Sequence, residues 1–128
     1  MLSNGVMKFR ALLIWAALVL GAGASYAHHS PATYDLTVTD FAVEGKIKSV
    51  EFRNPHSEMV LQAPGKDGKI VEWEIELSSV NLLVRRGWKF ARIKPGDTVT
   101  CIGNPAKAGE PKMYMWAIKL ADGTVYAK

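Results

Sequence analysis

The sequence predicts a mainly β fold: a small closed barrel of five strands, with one short helix between strands 3 and 4, preceded by a signal peptide. Three observations predict it. Val71, Trp73, Ile75 and Leu77 alternate with Glu72, Glu74 and Glu76, the period of a strand with one buried face. Breaker pairs recur between such stretches, at Asn54-Pro55, Pro64-Gly65, Asp67-Gly68, Pro95-Gly96 and Asp122-Gly123. Residues 78–87 interrupt the strand pattern with the outline of a helix. The composition agrees, since 128 residues that are 48% hydrophobic and 22% charged make one ordinary globular domain.

Residues 1–10 carry Lys8 and Arg10 and no acid, residues 11–20 are apolar throughout, and residues 21–27 are mostly small. A basic start, a short apolar core and a small-residue cleavage region describe a secretory signal peptide. The apolar run is too short for the roughly 20 residues of a membrane span. Cleavage after Ala27 releases a chain that begins His28-His29-Ser30, whereas cleavage after Ala24 leaves Ser25-Tyr26-Ala27 ahead of the histidines. The expected organisation is a leader over 1–27 and a mature periplasmic or secreted domain over 28–128.

Losing the leader leaves 14 basic against 12 acidic residues, so the net charge falls from +4 to +2. A domain so close to neutral offers little of the phosphate neutralisation that drives nucleic-acid binding. The single cysteine excludes a disulfide framework and a multi-cysteine zinc site within the chain. The expected mature protein is a monomer without a membrane span, partnered by a periplasmic protein or a small ligand.

The first strand covers residues 41–52. Val43, Gly45 and Ile47 share one parity and Val50 and Phe52 the other, so a bulge or sharp coil is expected, eased by Gly45. Residues 57–63 form the second strand, and Asp67-Gly68 turns it into the third. In residues 78–87 a serine can cap the helix start, arginines suit its last turn and Gly87 can take the left-handed conformation beyond it. Strands follow at 98–103 and 112–120, with a short tail strand at 124–126.

Three strands, a helix, then two strands is the order of a five-stranded OB barrel, whose ligands use the loops between strands 1 and 2 and between strands 4 and 5. Those loops are residues 53–57 and 104–111, which makes Arg53, Asn54, His56, Asn104 and Lys107 candidate ligand-binding residues.

All three histidines lie in the mature chain, His28 and His29 at its start and His56 in the first loop. If His28 becomes the first residue, it offers an α-amine and an imidazole, and His29 or His56 supplies a third nitrogen. Nitrogen-rich tetragonal sites suit Cu(II), and an α-amine with a reference pKa near 8 is readily deprotonated by the metal. Met113 and Met115 share a strand face and are possible soft donors for Cu(I). The plainer alternatives are a frayed terminus, a His56 ring bonded to a backbone carbonyl, and methionines that fill the core.

Trp73, Trp88, Phe90, Tyr114 and Trp116, near Arg85, Arg86 and Lys89, form a second possible surface, for stacking flat ligands. Other candidates fall away. The three glutamates of the third strand read as its wet face. Residues 65–69 lack the length and following helix of a phosphate loop. Ser78-Ser79 shows no histidine–acid partner, and Cys101 reads as a buried small hydrophobe. No residue set names a reaction, so the expectation is a non-enzymatic binding module that takes copper through His28, His29 and His56. The alternative is a metal-free glycan- or protein-binding barrel using the two loops and exposed aromatics.

Six pieces spread over the mature region carry a resemblance: His28-His29-Ser30, Asn54-Pro55-His56, Trp73-Glu74-Ile75-Glu76-Leu77, residues 81–88 (NLLVRRGW), Lys94-Pro95-Gly96-Asp97 and Gly103-Asn104-Pro105-Ala106. With them the chain resembles a family of small exported bacterial proteins catalogued as domain of unknown function 6152. The resemblance implies a periplasmic OB-like or small β-barrel domain and supplies no activity. One departure is Pro31, where the family usually has an aromatic residue after His-His-Ser; this proline is expected to redirect the N-terminal arm.

Overall fold

The computed structural model of the protein describes residues 31–127; the expected leader, His28 and His29 lie outside the described residues. The strands are β1 (Phe41–Glu51), β2 (Ser57–Pro64), β3 (Ile70–Leu77), β4 (Thr98–Pro105), β5 (Lys112–Leu120) and β6 (Val125–Ala127). One helix, α1 (Val80–Arg85), lies between β3 and β4, and short 3₁₀ turns cover Pro31–Thr33 and Phe90–Arg92.

The sheet runs β3-β2-β1-β4-β5-β6, and β3 also pairs with β5. That last pairing, parallel over Glu74–Glu76 against Lys112–Tyr114, closes five strands into a barrel. A closed five-stranded barrel in this order, with a helix between β3 and β4, is an OB-like fold. The expected fold class is the observed one, with β6 as an added edge strand.

The parity switch in β1 is a bulge. Ile47 pairs with Leu61 and Ser49 with Val60, so Lys48 has no opposite number. The coil at β1 also explains Gly45: a Cβ there would lie 2.4 Å from the backbone oxygen of Gln62, so β2 passes too close for any side chain. β5 has a second bulge that the sequence reading did not anticipate. Gly103 pairs with Met115 and Ile102 with Ala117, which leaves Trp116 as the extra residue. Past it, inward positions shift from Met113 and Met115 to Ile118 and Leu120, all four in the core.

That core is a single cluster, in which Ile47, Met59, Leu61, Ile75, Leu77, Met113, Ile118 and Cys101 are essentially inaccessible. Burying apolar surface from all five barrel strands in one cluster is the main force closing the barrel. α1 begins where Ser79 accepts the amide of Leu82, and it ends at Gly87, whose φ of 79° is the left-handed conformation expected beyond a helix. Phe90 stacks on Phe52 with centroids 4.1 Å apart, and Trp88 stacks on Tyr126 at 5.6 Å, which fixes the tail strand.

Candidate functional site

The polar chemistry collects on the outer face of the barrel, where the ends of β2, β3 and β5 meet. Alternation along β3 points Ile75 and Leu77 inward and Glu76 outward, opposite Glu58 on β2 and Tyr114 on β5. Outward glutamates are expected to be wet, and Glu72 and Glu74 are exposed as the sequence reading has them. Glu76 corrects that reading: only 8% of it is exposed. The cause lies far away in sequence, because the segment leading into β1 packs across this part of the barrel.

That segment is tied down by backbone bonds. Lys107 N–H donates to the Thr33 carbonyl at 3.0 Å, Asp35 N–H donates to the Pro105 carbonyl at 2.8 Å, and Tyr34 forms an isolated bridge with Ala106. The fixed φ of a proline suits the first position of a helical turn, and Pro31–Thr33 is such a turn. Tyr34 is thereby laid beside Tyr114, ring centroids 6.1 Å apart, with its hydroxyl donating to Oε2 of Glu76 at 2.9 Å.

The other carboxylate oxygen faces the first loop. Oε1 of Glu76 is 3.3 Å from Nδ1 of His56, and that nitrogen is itself buried although 44% of the side chain is exposed. His56 is placed by the residue after it. Ser57 is inaccessible; its amide donates to the Ser78 carbonyl at 3.3 Å, and its hydroxyl donates to the Arg53 carbonyl at 3.2 Å. Ser78 and Tyr114 continue the polar patch, their hydroxyls 3.0 Å apart. Two carboxylates directly across a strand pair repel. Here Glu58 turns to Arg53 at 2.7 Å, and Glu76 turns to Tyr34 and His56.

A carboxylate this buried needs partners on its oxygens, since an unpaired buried charge is costly. Burial, the hydrogen bond to Glu76 and its negative charge together hold the Tyr34 hydroxyl well above its usual pKa of 10. Ser57 and Ser78 are both buried with engaged hydroxyls, so neither is presented as a nucleophile.

The other predicted residues divide. Arg53 pairs with Glu58, and Asn54 accepts the amide of Asn81 at 3.4 Å through Oδ1, so both serve the first loop as it packs on α1. Asn104 corrects the expected loop boundary. It lies within β4, buried, and its amide donates to the Val38 carbonyl at 2.7 Å, so it holds the segment before β1 rather than a ligand. Lys107 is exposed and contributes its backbone to the arm. Met113 and Met115 belong to the core cluster, the packing alternative for that strand. Among the aromatics, Trp88 is buried, and Trp73 and Phe90 pack partly buried against the core. Among the described residues no three His, Cys, Asp or Glu side chains gather as a metal group, and no helix is long and apolar enough to cross a membrane.

Sequence reasoning missed Tyr34 and Glu76. The available signal was the place of Glu76 near the end of the third strand, where an OB barrel closes on its fifth strand.

Residues 16–114 match the model of a family of unknown function, DUF6152. The chain belongs to that family. Its match takes in Tyr34, His56 and Glu76 together with all of β1 through β4. No curated protein matches the chain. Among solved structures, a mitochondrial single-stranded DNA-binding protein from S. cerevisiae is similar at 14% identity, covering 66% of this chain and 94% of that one, with a TM-score of 0.49.

Proposed function

We propose that this DUF6152 chain is an exported, periplasmic binding module that takes copper through the histidines of its processed N-terminus together with His56. The observation that carries it is the docking of the arm. Tyr34 and His56 meet on the two oxygens of one buried carboxylate, and the arm that brings Tyr34 there is the arm that bears His28 and His29. His28 stands six residues before Tyr34, at most about 20 Å of extended chain. Chain connectivity alone sets that limit on the distance between the amino end and Tyr34.

The donor set fits the metal. An α-amine and neutral imidazoles are nitrogen donors, and Cu(II) heads the affinity order of divalent first-row ions for such sites. His56 lies beside the carboxylate that a ligating histidine commonly uses for its second nitrogen. The module is a binder rather than an enzyme, with the copper itself as its cargo.

The test is a Cu(II) titration of three proteins: the chain beginning at His28, the same chain with His56→Ala, and a chain that keeps Ala27 ahead of His28. Both changes should weaken binding by roughly tenfold or more, about 1.4 kcal/mol per decade. Identical curves for the His56→Ala protein would remove His56 from the site. A blocked amino end that binds as tightly would remove the α-amine.

A further inference from the structure

We infer that Glu76 and Tyr34 are positioning residues that fix the tautomer and direction of the His56 ring, so that Nε2 is the nitrogen offered to the metal. The inference rests on the copper reading and deepens it. An imidazole has two nitrogens, and a neutral ring carries its proton on one of them. In His56, Nδ1 is buried and faces Oε1 of Glu76 at 3.3 Å. Nε2 is the ring's other nitrogen and the remaining metal donor. A carboxylate beside Nδ1 favours the proton there, which leaves the lone pair on Nε2.

The carboxylate is itself held. Oε2 accepts the Tyr34 hydroxyl at 2.9 Å, and Glu76 sits near the end of β3, where the parallel pairing with Tyr114 fixes the backbone. The far side is fixed as well, because Ser57 is bonded to both Ser78 and Arg53. Tyr34 has a second function in this arrangement. Its backbone bridges to Ala106 and its hydroxyl bonds the carboxylate, so one residue links the segment before β1 to the group beside the ring.

The experiment has one arm without metal and one with it. Nitrogen-15 NMR of the metal-free protein over a pH series, read where the ring is neutral, reports the tautomer of His56. The proton should sit on Nδ1 in the wild type and redistribute toward Nε2 in Glu76→Gln, with Tyr34→Phe in between. Cu(II) affinity should then fall roughly 10–100-fold in Glu76→Gln and less in Tyr34→Phe, the usual cost of losing such a partner. Tyr34→Phe keeps the buried carboxylate, so it carries the test if Glu76→Gln does not fold. A wild-type ring protonated on Nε2 overturns the inference whatever the metal does. So does a Glu76→Gln affinity within about twofold of wild type while His56→Ala weakens binding, an outcome that leaves the copper reading intact. A wild-type chain with no copper affinity overturns the copper reading itself, and the inference with it.

Discussion

Tyr34→Phe removes one oxygen atom and leaves the ring. The packing beside Tyr114 is kept, and what is lost is the hydrogen bond to a carboxylate that is 8% exposed. A hydrogen bond to a charged group contributes about 1.5–3 kcal/mol, and leaving its buried partner unsatisfied accounts for most of the loss. About 2 kcal/mol at neutral pH corresponds to a melting point lower by roughly 8–16 °C for a domain near 100 residues. The loss should depend on pH with a definite sign. Unfolded Tyr34 gives up its proton near 10, whereas the folded hydroxyl keeps it to well above that, because burial and Glu76 both oppose the phenolate. Above pH 10 unfolding therefore releases a proton, and the contribution of Tyr34, complete below that pH, is lost as pH rises by up to about 1.4 kcal/mol per unit. Phenylalanine has no such proton, so the gap between the two proteins should be full at pH 7 and narrow between pH 10 and 11. Cys101 titrates abnormally in the same region, but it is common to both proteins and cancels from their difference. Urea unfolding followed by tryptophan fluorescence measures the gap. A difference below about 0.5 kcal/mol at pH 7, the scatter of ordinary surface changes, or a gap unchanged at pH 11, would refute the role given to this contact.

Four other outcomes are expected. Gly45→Ala puts a Cβ 2.4 Å from the Gln62 backbone oxygen and should cost about 1–3 kcal/mol or more by chemical denaturation; an unchanged midpoint would mean that β2 can move away. Gly103→Ala meets the Tyr114 backbone oxygen at 2.1 Å and should be at least as damaging, whereas Gly68→Ala faces open space and should cost only the strain of its positive φ, about 1 kcal/mol. Cys101 is inaccessible and burial pushes its thiol up to about 12, so a thiol reagent at pH 8 should label it only after unfolding, and rapid labelling of the native protein would contradict its place in the core.

Local rules carried the fold a long way. The parity switch between Ile47 and Val50 announced the bulge at Lys48, and the glycines after Asp67 and Asp122 announced their turns, because each depends on residues next to one another. The same test applied to Met113, Met115, Ile118 and Leu120 announces the bulge at Trp116, so that feature too was legible. The candidate site was only half legible. His56 was visible as a histidine in a loop that OB barrels use, but Tyr34 and Glu76 are 42 residues apart, and nothing local says that the arm will cross this strand. Alternation gave the direction of Glu76 correctly and its wetness wrongly, since exposure depends on what covers a face and not on which face it is. Asn104 failed for a related reason: an Asn-Pro pair usually punctuates a loop, yet here the side chain bonds to Val38 and the pair continues β4.

Electron paramagnetic resonance of the Cu(II)-loaded protein beginning at His28 tests the central claim most directly. A tetragonal spectrum with three nitrogen donors in the wild type, and one nitrogen fewer in His56→Ala, is the predicted pair. The same spectrum from both proteins, or a wild-type signal no different from copper free in buffer, would contradict a site shared between the amino end and the first loop.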